Sequence, residues 1–152
     1  MADDPVVVAV RRLPHAADLP LPQTASPGSA GIDLRAAIED EIELDPGQRR
    51  TVATGVSLAI PPGFEGQVRP RSGLALEHGL TLLNSPGTID SDYRGEIKAI
   101  LVNLGQESYR IRRGDRVAQL VISPICRVRW SEQSELPQSE RGGGGFGSSG
   151  ID

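Results

Sequence analysis

Twelve prolines and eighteen glycines are spread along a chain of 152 residues. Proline fixes its own φ and donates no backbone hydrogen bond, and glycine allows tight turns. Together they break the chain into short pieces, most of them rich in β-branched residues. "VVVAV" (6–10) reads as a buried strand, and "GIDLRAA" (31–37) and "EIELDPG" (41–47) as the next two. "RRTVATGVSLAIPPG" (49–63) stops at Pro61 and Pro62, and "FEGQVRP" (64–70) follows as another short strand. "LTLLN" (80–84), "GEIKAILVNL" (95–104), "SYRIRRGD" (108–115), "RVAQLVISPI" (116–125) and "CRVRW" (126–130) continue the pattern. Short strands at this spacing, with turn signals between them, predict an all-β, two-layer antiparallel jelly roll. One stretch differs. "SGLALEHG" (72–79) has a capping serine, good helix formers and a terminal glycine, which predicts a helix of about two turns. The expected organisation is a β-barrel over 1–130 and a polar arm over 131–152.

Charge narrows the function. The net charge is −4, which argues against a general nucleic-acid binder. All but one of the sixteen basic residues are arginine, the exception being Lys98. Arginine's planar fork suits phosphate, so its local clusters matter. Cys126 is the only cysteine, which excludes an intrachain disulfide and a Cys-based zinc site. It is expected in the core, and Trp130 is expected to pack. The acidic N-terminus carries no signal pattern and no long apolar run. The expectation is a cytoplasmic protein that does not contact membrane.

Four stretches and the tail could carry chemistry, each with a plainer reading beside it. "PRSGLA" (70–75) puts Arg71 and Ser72 at the start of the short helix, where N–H groups favour a phosphate. The alternative is an ordinary cap with a surface arginine. "NSPGTIDSDYRGE" (84–96) crowds Asp90, Asp92 and Tyr93 behind a turn at Pro86–Gly87. Such a hairpin offers main-chain groups to a base edge, with Asp90 as a general base and Tyr93 against a sugar. It could equally be a polar loop. "AGIDLRA" (30–36) holds one carboxylate, Asp33, suited to water on Mg2+ or to internal hydrogen bonds. "RRGDRVAQLVI" (112–122) sets Gln119 on an apolar strand, where its amide needs partners, either phosphate or backbone. "RGGGGFGSSG" (141–150) is either a flexible linker or an arm closing on a nucleotide through Arg141 and Phe146. His15 and His78 lack companions and read as surface residues.

Each stretch is weak alone, but their order is specific. "AGIDLRA", "PRSGLA", "GTIDSDYRGEI", "RGDRVAQLVI" and "RGGGGFGSSG" resemble, in order and spacing, the five motifs of the trimeric deoxyuridine triphosphate nucleotidohydrolases (dUTPases). The resemblance implies a jelly-roll-like barrel that forms a homotrimer with shared sites. It implies hydrolysis of dUTP to dUMP and pyrophosphate with Mg2+, limiting uracil in DNA and supplying dUMP for dTMP synthesis. Asp90 would activate the water that attacks the α-phosphorus, and Asp33 would hold water on Mg2+. Arg71, Ser72, Gly73 and Gln119 would contact the phosphates, with Ser72 stabilising charge on the leaving group. Asn84 and the main chain of Gly87, Thr88 and Ile89 would read uracil. Tyr93 would pack under deoxyribose and exclude a 2′-hydroxyl, and Lys98 would stand at a further substrate contact. In the tail, Phe146 would stack on uracil. Arg141, Ser148 and Ser149 would take the γ-phosphate, with Gly147 beside them.

Two rivals belong to other classes. A dCTP deaminase shares a related fold, but it needs a glutamate base aimed at the cytosine ring. A non-catalytic barrel that only binds partners would have no need of Asp33, Ser72, Asp90 and Tyr93 together.

Overall fold

The computed structural model describes residues 5–146. Its elements are β1 (Ala9–Arg12), a 3-10 turn (Pro14–Ala16), β2 (Ile32–Arg35), β3 (Ile42–Leu44), β4 (Arg49–Ala59) and β5 (Phe64–Arg69). There follow α1 (Ser72–His78), β6 (Leu80–Leu82), β7 (Gly87–Ile89), β8 (Glu96–Asn103), β9 (Tyr109–Ile111) and β10 (Arg116–Pro124). Two four-stranded sheets, ordered β1-β4-β8-β6 and β2-β10-β5-β7, face each other, and β3 pairs with β9 as a ribbon. Every strand pair is antiparallel. This is the all-β, jelly-roll-like architecture that the turn spacing predicts.

Period-two alternation builds the core. On β8, Ile97, Ala99 and Leu101 are buried while Lys98 between them is exposed. On β10, Ala118 and Leu120 point inward and Gln119 points out of the core. Leu34, Val52 and Val68 join them between the sheets. Long β4 does not run straight. Its pairing with β8 jumps between Ala53 and Ser57, and Gly55 takes φ 72 there. A Cβ on Gly55 would lie 2.1 Å from the Ala16 Cβ, so the 3-10 turn packs directly on this irregularity.

Several expectations need correction. The first strand begins at Ala9, not Val6, and all four of its residues are exposed. It is the edge of its sheet, and an apolar run does not say which faces are covered. Residues 126–130 form no strand, because β10 ends at Pro124 and, among the described residues, no strand pairs with those beyond it. Cys126 is therefore exposed rather than in the core, and Trp130 is 91% exposed rather than packed. The short helix forms, and Gly79 ends it in the left-handed conformation. Its N-cap is Arg71, not Ser72, and there is no side-chain capping bond. The chain is still extended at Arg71 (φ −96, ψ 128), so Ser72 already belongs to the helix. Among the described residues, no helix is long and apolar enough to cross a membrane.

Candidate active site

Two clefts gather the residues singled out in the sequence. The first, about 340 Å³, is lined by Gly31, Asp33, Arg71, Ser72, Gly73 and Gln119, with Ala25, Ser29 and Ala30 at its rim. Strand register explains the grouping. Gln119 on β10 stands opposite Asp33 on β2 and opposite Arg69 on β5. Directly paired residues of antiparallel strands project to the same face, so Asp33 and Gln119 emerge together. Gln119 Nε2 donates to the Pro70 carbonyl at 2.9 Å and so ties the loop before α1 to the sheet. Gly31 leaves room for this amide, since a Cβ there would fall 1.9 Å from Gln119 Oε1.

Asp33 is the electrostatic centre of the cleft. Its carboxylate pairs with Arg71 Nε at 3.3 Å and with Arg116 Nη1 at 3.2 Å. Arg71 also donates to the Arg116 carbonyl at 3.3 Å. The Arg71 guanidinium, the Ser72 hydroxyl and the Asp33 carboxylate line a cleft suited to a polyphosphate and its counter-ion, with Arg116 pairing Asp33 from outside the lining. Among the described residues no cluster of three metal-ligating side chains exists.

The second cleft, about 280 Å³, is lined by Thr51, Thr88, Ile89, Asp90, Tyr93, Glu96, Lys98 and Ile100. Among the described residues β7 is an edge strand paired only with β5, so its other side is turned away from the sheet's ladder. Asn84 lies against Gly87, with its Nδ2 3.2 Å from where a Cβ would stand. A turn bond from Tyr93 N to the Asp90 carbonyl, 3.1 Å, brings the aromatic ring back beside the aspartate. Asp90 is exposed and Tyr93 is 44% exposed.

Within one chain the two clefts are separate. From the Asp33 row to Asp90 the path crosses from β2 to β7 and runs on from Arg69 to the level of Glu65. At ordinary strand spacing and rise this is roughly 20 Å between Cα atoms. Farther along the chain, Arg141 Nε donates to the Gly144 carbonyl at 2.7 Å, and Phe146 is fully exposed. Neither lines either cleft. The expected contacts of Gly147, Ser148 and Ser149 lie outside the described residues.

Three features escape a reading of motifs. Of the arginines in 112–116, only Arg116 reaches Asp33. Arg112 pairs with Glu41, and Arg113 binds Asp18 and the carbonyls of His15 and Ile38. The Arg113 hydrogen bond holds the Asp18 carboxyl below the usual carboxylate range. The third feature is His15, whose Nε2 meets the Glu96 carboxylate at 2.8 Å.

Residues 17–150 match the dUTPase family. The chain belongs to the dUTPase family. The deoxyuridine 5′-triphosphate nucleotidohydrolase of Methylocella silvestris is 55% identical over 150 residues, which is 97% of this chain and 94% of that protein. The enzyme of the same name from Wolbachia sp. subsp. Drosophila simulans is 56% identical over 147 residues, covering 95% and 96%. Among solved structures, the dUTPase of Staphylococcus bacteriophage 80alpha with dUPNHPP superposes with a TM-score of 0.85 at 28% identity. That superposition covers 95% of this chain and 99% of the phage protein. Residues of "AGIDLRA", "PRSGLA", "GTIDSDYRGEI" and "RGDRVAQLVI" line the two clefts.

Proposed function

We propose that the chain is a working dUTP diphosphatase, hydrolysing dUTP to dUMP and pyrophosphate in the cytoplasm. This would limit uracil in DNA and supply dUMP for dTMP synthesis. The observation that carries the reading is the first cleft, where Asp33 and Gln119 share one register row beside Arg71 and Ser72. Family membership supports dUTP as the substrate of that cleft.

Arg71, Ser72, Gly73 and Gln119 hold the phosphate chain. Asp33 would hold a Mg2+ through water, and the ion would supply positive charge to neutralise the phosphates. Asp90 accepts a proton from the attacking water as its oxygen bonds to the α-phosphorus. The bond from that phosphorus to the bridging oxygen breaks, and pyrophosphate leaves, its growing charge stabilised by Ser72 and Arg71. Asn84 and the free edge around Gly87, Thr88 and Ile89 read uracil. Tyr93 packs under the deoxyribose, and Lys98 contacts substrate from the same cleft.

The roughly 20 Å between Asp33 and Asp90 supports a site shared in a homotrimer. One chain gives Asp33, Arg71, Ser72 and Gln119, a second gives Asp90 and Tyr93, and a third gives the arm, residues 131–152. Phe146 stacks on uracil, and Arg141 with Gly147, Ser148 and Ser149 closes on the γ-phosphate. No nucleic acid or membrane takes part. Pyrophosphate release from dUTP, with dCTP in parallel, tests the reading. Uridine nucleotide formed from dCTP would mark a deaminase, and inertness toward both would mark a protein that only binds.

A further inference from the structure

Tyr93 is placed by the main chain beside it. Its hydroxyl donates to the Glu96 carbonyl at 3.1 Å. Its ring lies over Gly95, where a Cβ would fall 2.3 Å from the hydroxyl oxygen and 2.5 Å from Cζ. The position of the ring therefore depends on the backbone at 95–96.

That backbone is anchored from the side chain of Glu96. The register jump on β4 interrupts the ladder around Gly55. Glu96 Oε1 accepts from the Gly55 N–H at 2.9 Å across this gap, and the same oxygen meets His15 Nε2 at 2.8 Å. His15 is itself fixed. Leu13 N donates to the Gly55 carbonyl at 2.8 Å, and Arg113 Nη2 donates to the His15 carbonyl at 2.7 Å. The Glu96 side chain is only 16% exposed, so its two donors face limited competition from water.

We propose that His15 is a positioning residue for sugar discrimination: through Glu96 it holds Tyr93 where the ring excludes a 2′-hydroxyl. The inference rests on the proposed role of Tyr93 beneath the sugar. Without the imidazole, Glu96 keeps only the Gly55 N–H, the carbonyl that holds the Tyr93 hydroxyl gains freedom, and the ring yields to a ribose.

The test compares kcat/KM for dUTP and UTP in the intact protein and in Tyr93→Ala, His15→Ala, His15→Gln, Glu96→Ala and the His15→Ala/Glu96→Ala pair. His15→Ala should lower the dUTP/UTP ratio about three- to tenfold, the worth of one hydrogen bond, with kcat for dUTP nearly unchanged. His15→Gln, which keeps an N–H donor, should restore most of the ratio. The double variant should be no worse than Glu96→Ala alone, since His15 acts through Glu96. Tyr93→Ala separates the two levels. If it leaves the ratio unchanged, the Tyr93 reading fails and the inference with it. If it relaxes the ratio and His15→Ala does not, the inference alone is overturned. Equal loss in His15→Ala and His15→Gln, or additive loss in the double variant, also overturns it.

Discussion

The two clefts are built on different principles. Asp33 and Gln119 stand on neighbouring strands inside a sheet, and each is held by a partner, Asp33 by two arginines and Gln119 by the Pro70 carbonyl. Asp90 and Tyr93 stand not on the expected hairpin but in the connection from β7 to β8, which belong to different sheets, and both are exposed. The first cleft is organised before anything binds, which suits recognition of a charged polyphosphate. In the trimer proposed above, the second becomes part of a site when the first cleft of another chain comes to face it. In that proposed trimer, dividing binding and chemistry between separate surfaces would make activity depend on assembly. Losses in the two regions should therefore look different.

The largest expected effect lies in the edge cleft. Asp90→Asn should reduce turnover by about 10²–10⁴ while dUTP binding stays nearly intact, because it removes the proposed base and leaves the other cleft whole. Single-turnover kinetics and equilibrium binding check this together. Near-normal kcat would show that another group activates the water.

Next comes the division itself. Asp90→Asn and a chain ending before Arg141 should each be inactive alone. Refolded together in equal amounts, roughly a quarter of sites would combine an intact Asp90 with an intact arm if three chains share each site. Activity should return at about that fraction. Mixed trimers that stay inactive would show that Asp90 and the arm of one site come from the same chain.

The pinned cleft should respond more mildly and through binding. Gly31→Ala puts a Cβ 1.9 Å from Gln119 Oε1. The amide must swing away and give up its bond to Pro70, which loosens the loop carrying Arg71. The expected result is a rise of up to about tenfold in KM for dUTP, with kcat changed less. A fall in kcat with KM unchanged would assign Gln119 to the chemistry instead.

The same contrast governs what the sequence reveals. The pinned cleft is legible because it lies on strands whose apolar alternation exposes the exceptions, Asp33 beside Leu34 and Gln119 between Ala118 and Leu120. The edges are less legible. Val6 to Val10 is apolar enough for a buried strand, yet a strand is buried only where something covers it, and β1 is an edge. Residues 126–130 alternate like a strand but find no partner within the described chain. The short segment 112–116 offers three arginines of equal chemistry, and only the fold tells Arg116 at Asp33 from Arg113 at Asp18. His15 looks solitary because its partner Glu96 is distant along the chain and arrives only through the irregularity in β4.

The smallest effect belongs to a contact that supports the edge cleft from outside. Arg113 ties Asp18 and the His15 carbonyl to the turn before β10. Its hydrogen bond holds the Asp18 carboxyl below the usual carboxylate range. A depressed acid contributes stability above its unfolded value, near pH 4, and loses it as the pH falls through the lower folded value. Asp18 is exposed, so water and salt screen the pair and the contribution is small. Thermal melts of the intact protein and Asp18→Asn should differ slightly around pH 7 and converge as the pH is lowered below about 4. Added salt should shrink the difference at neutral pH. The dUTP/UTP ratio should shift less than with His15→Ala, because Arg113 still holds the His15 carbonyl without Asp18. A gap that widened on acidification would reverse the sign of the Asp18 contribution. A ratio that fell as far as with His15→Ala would move the anchor of Tyr93 from the imidazole to the Arg113 turn.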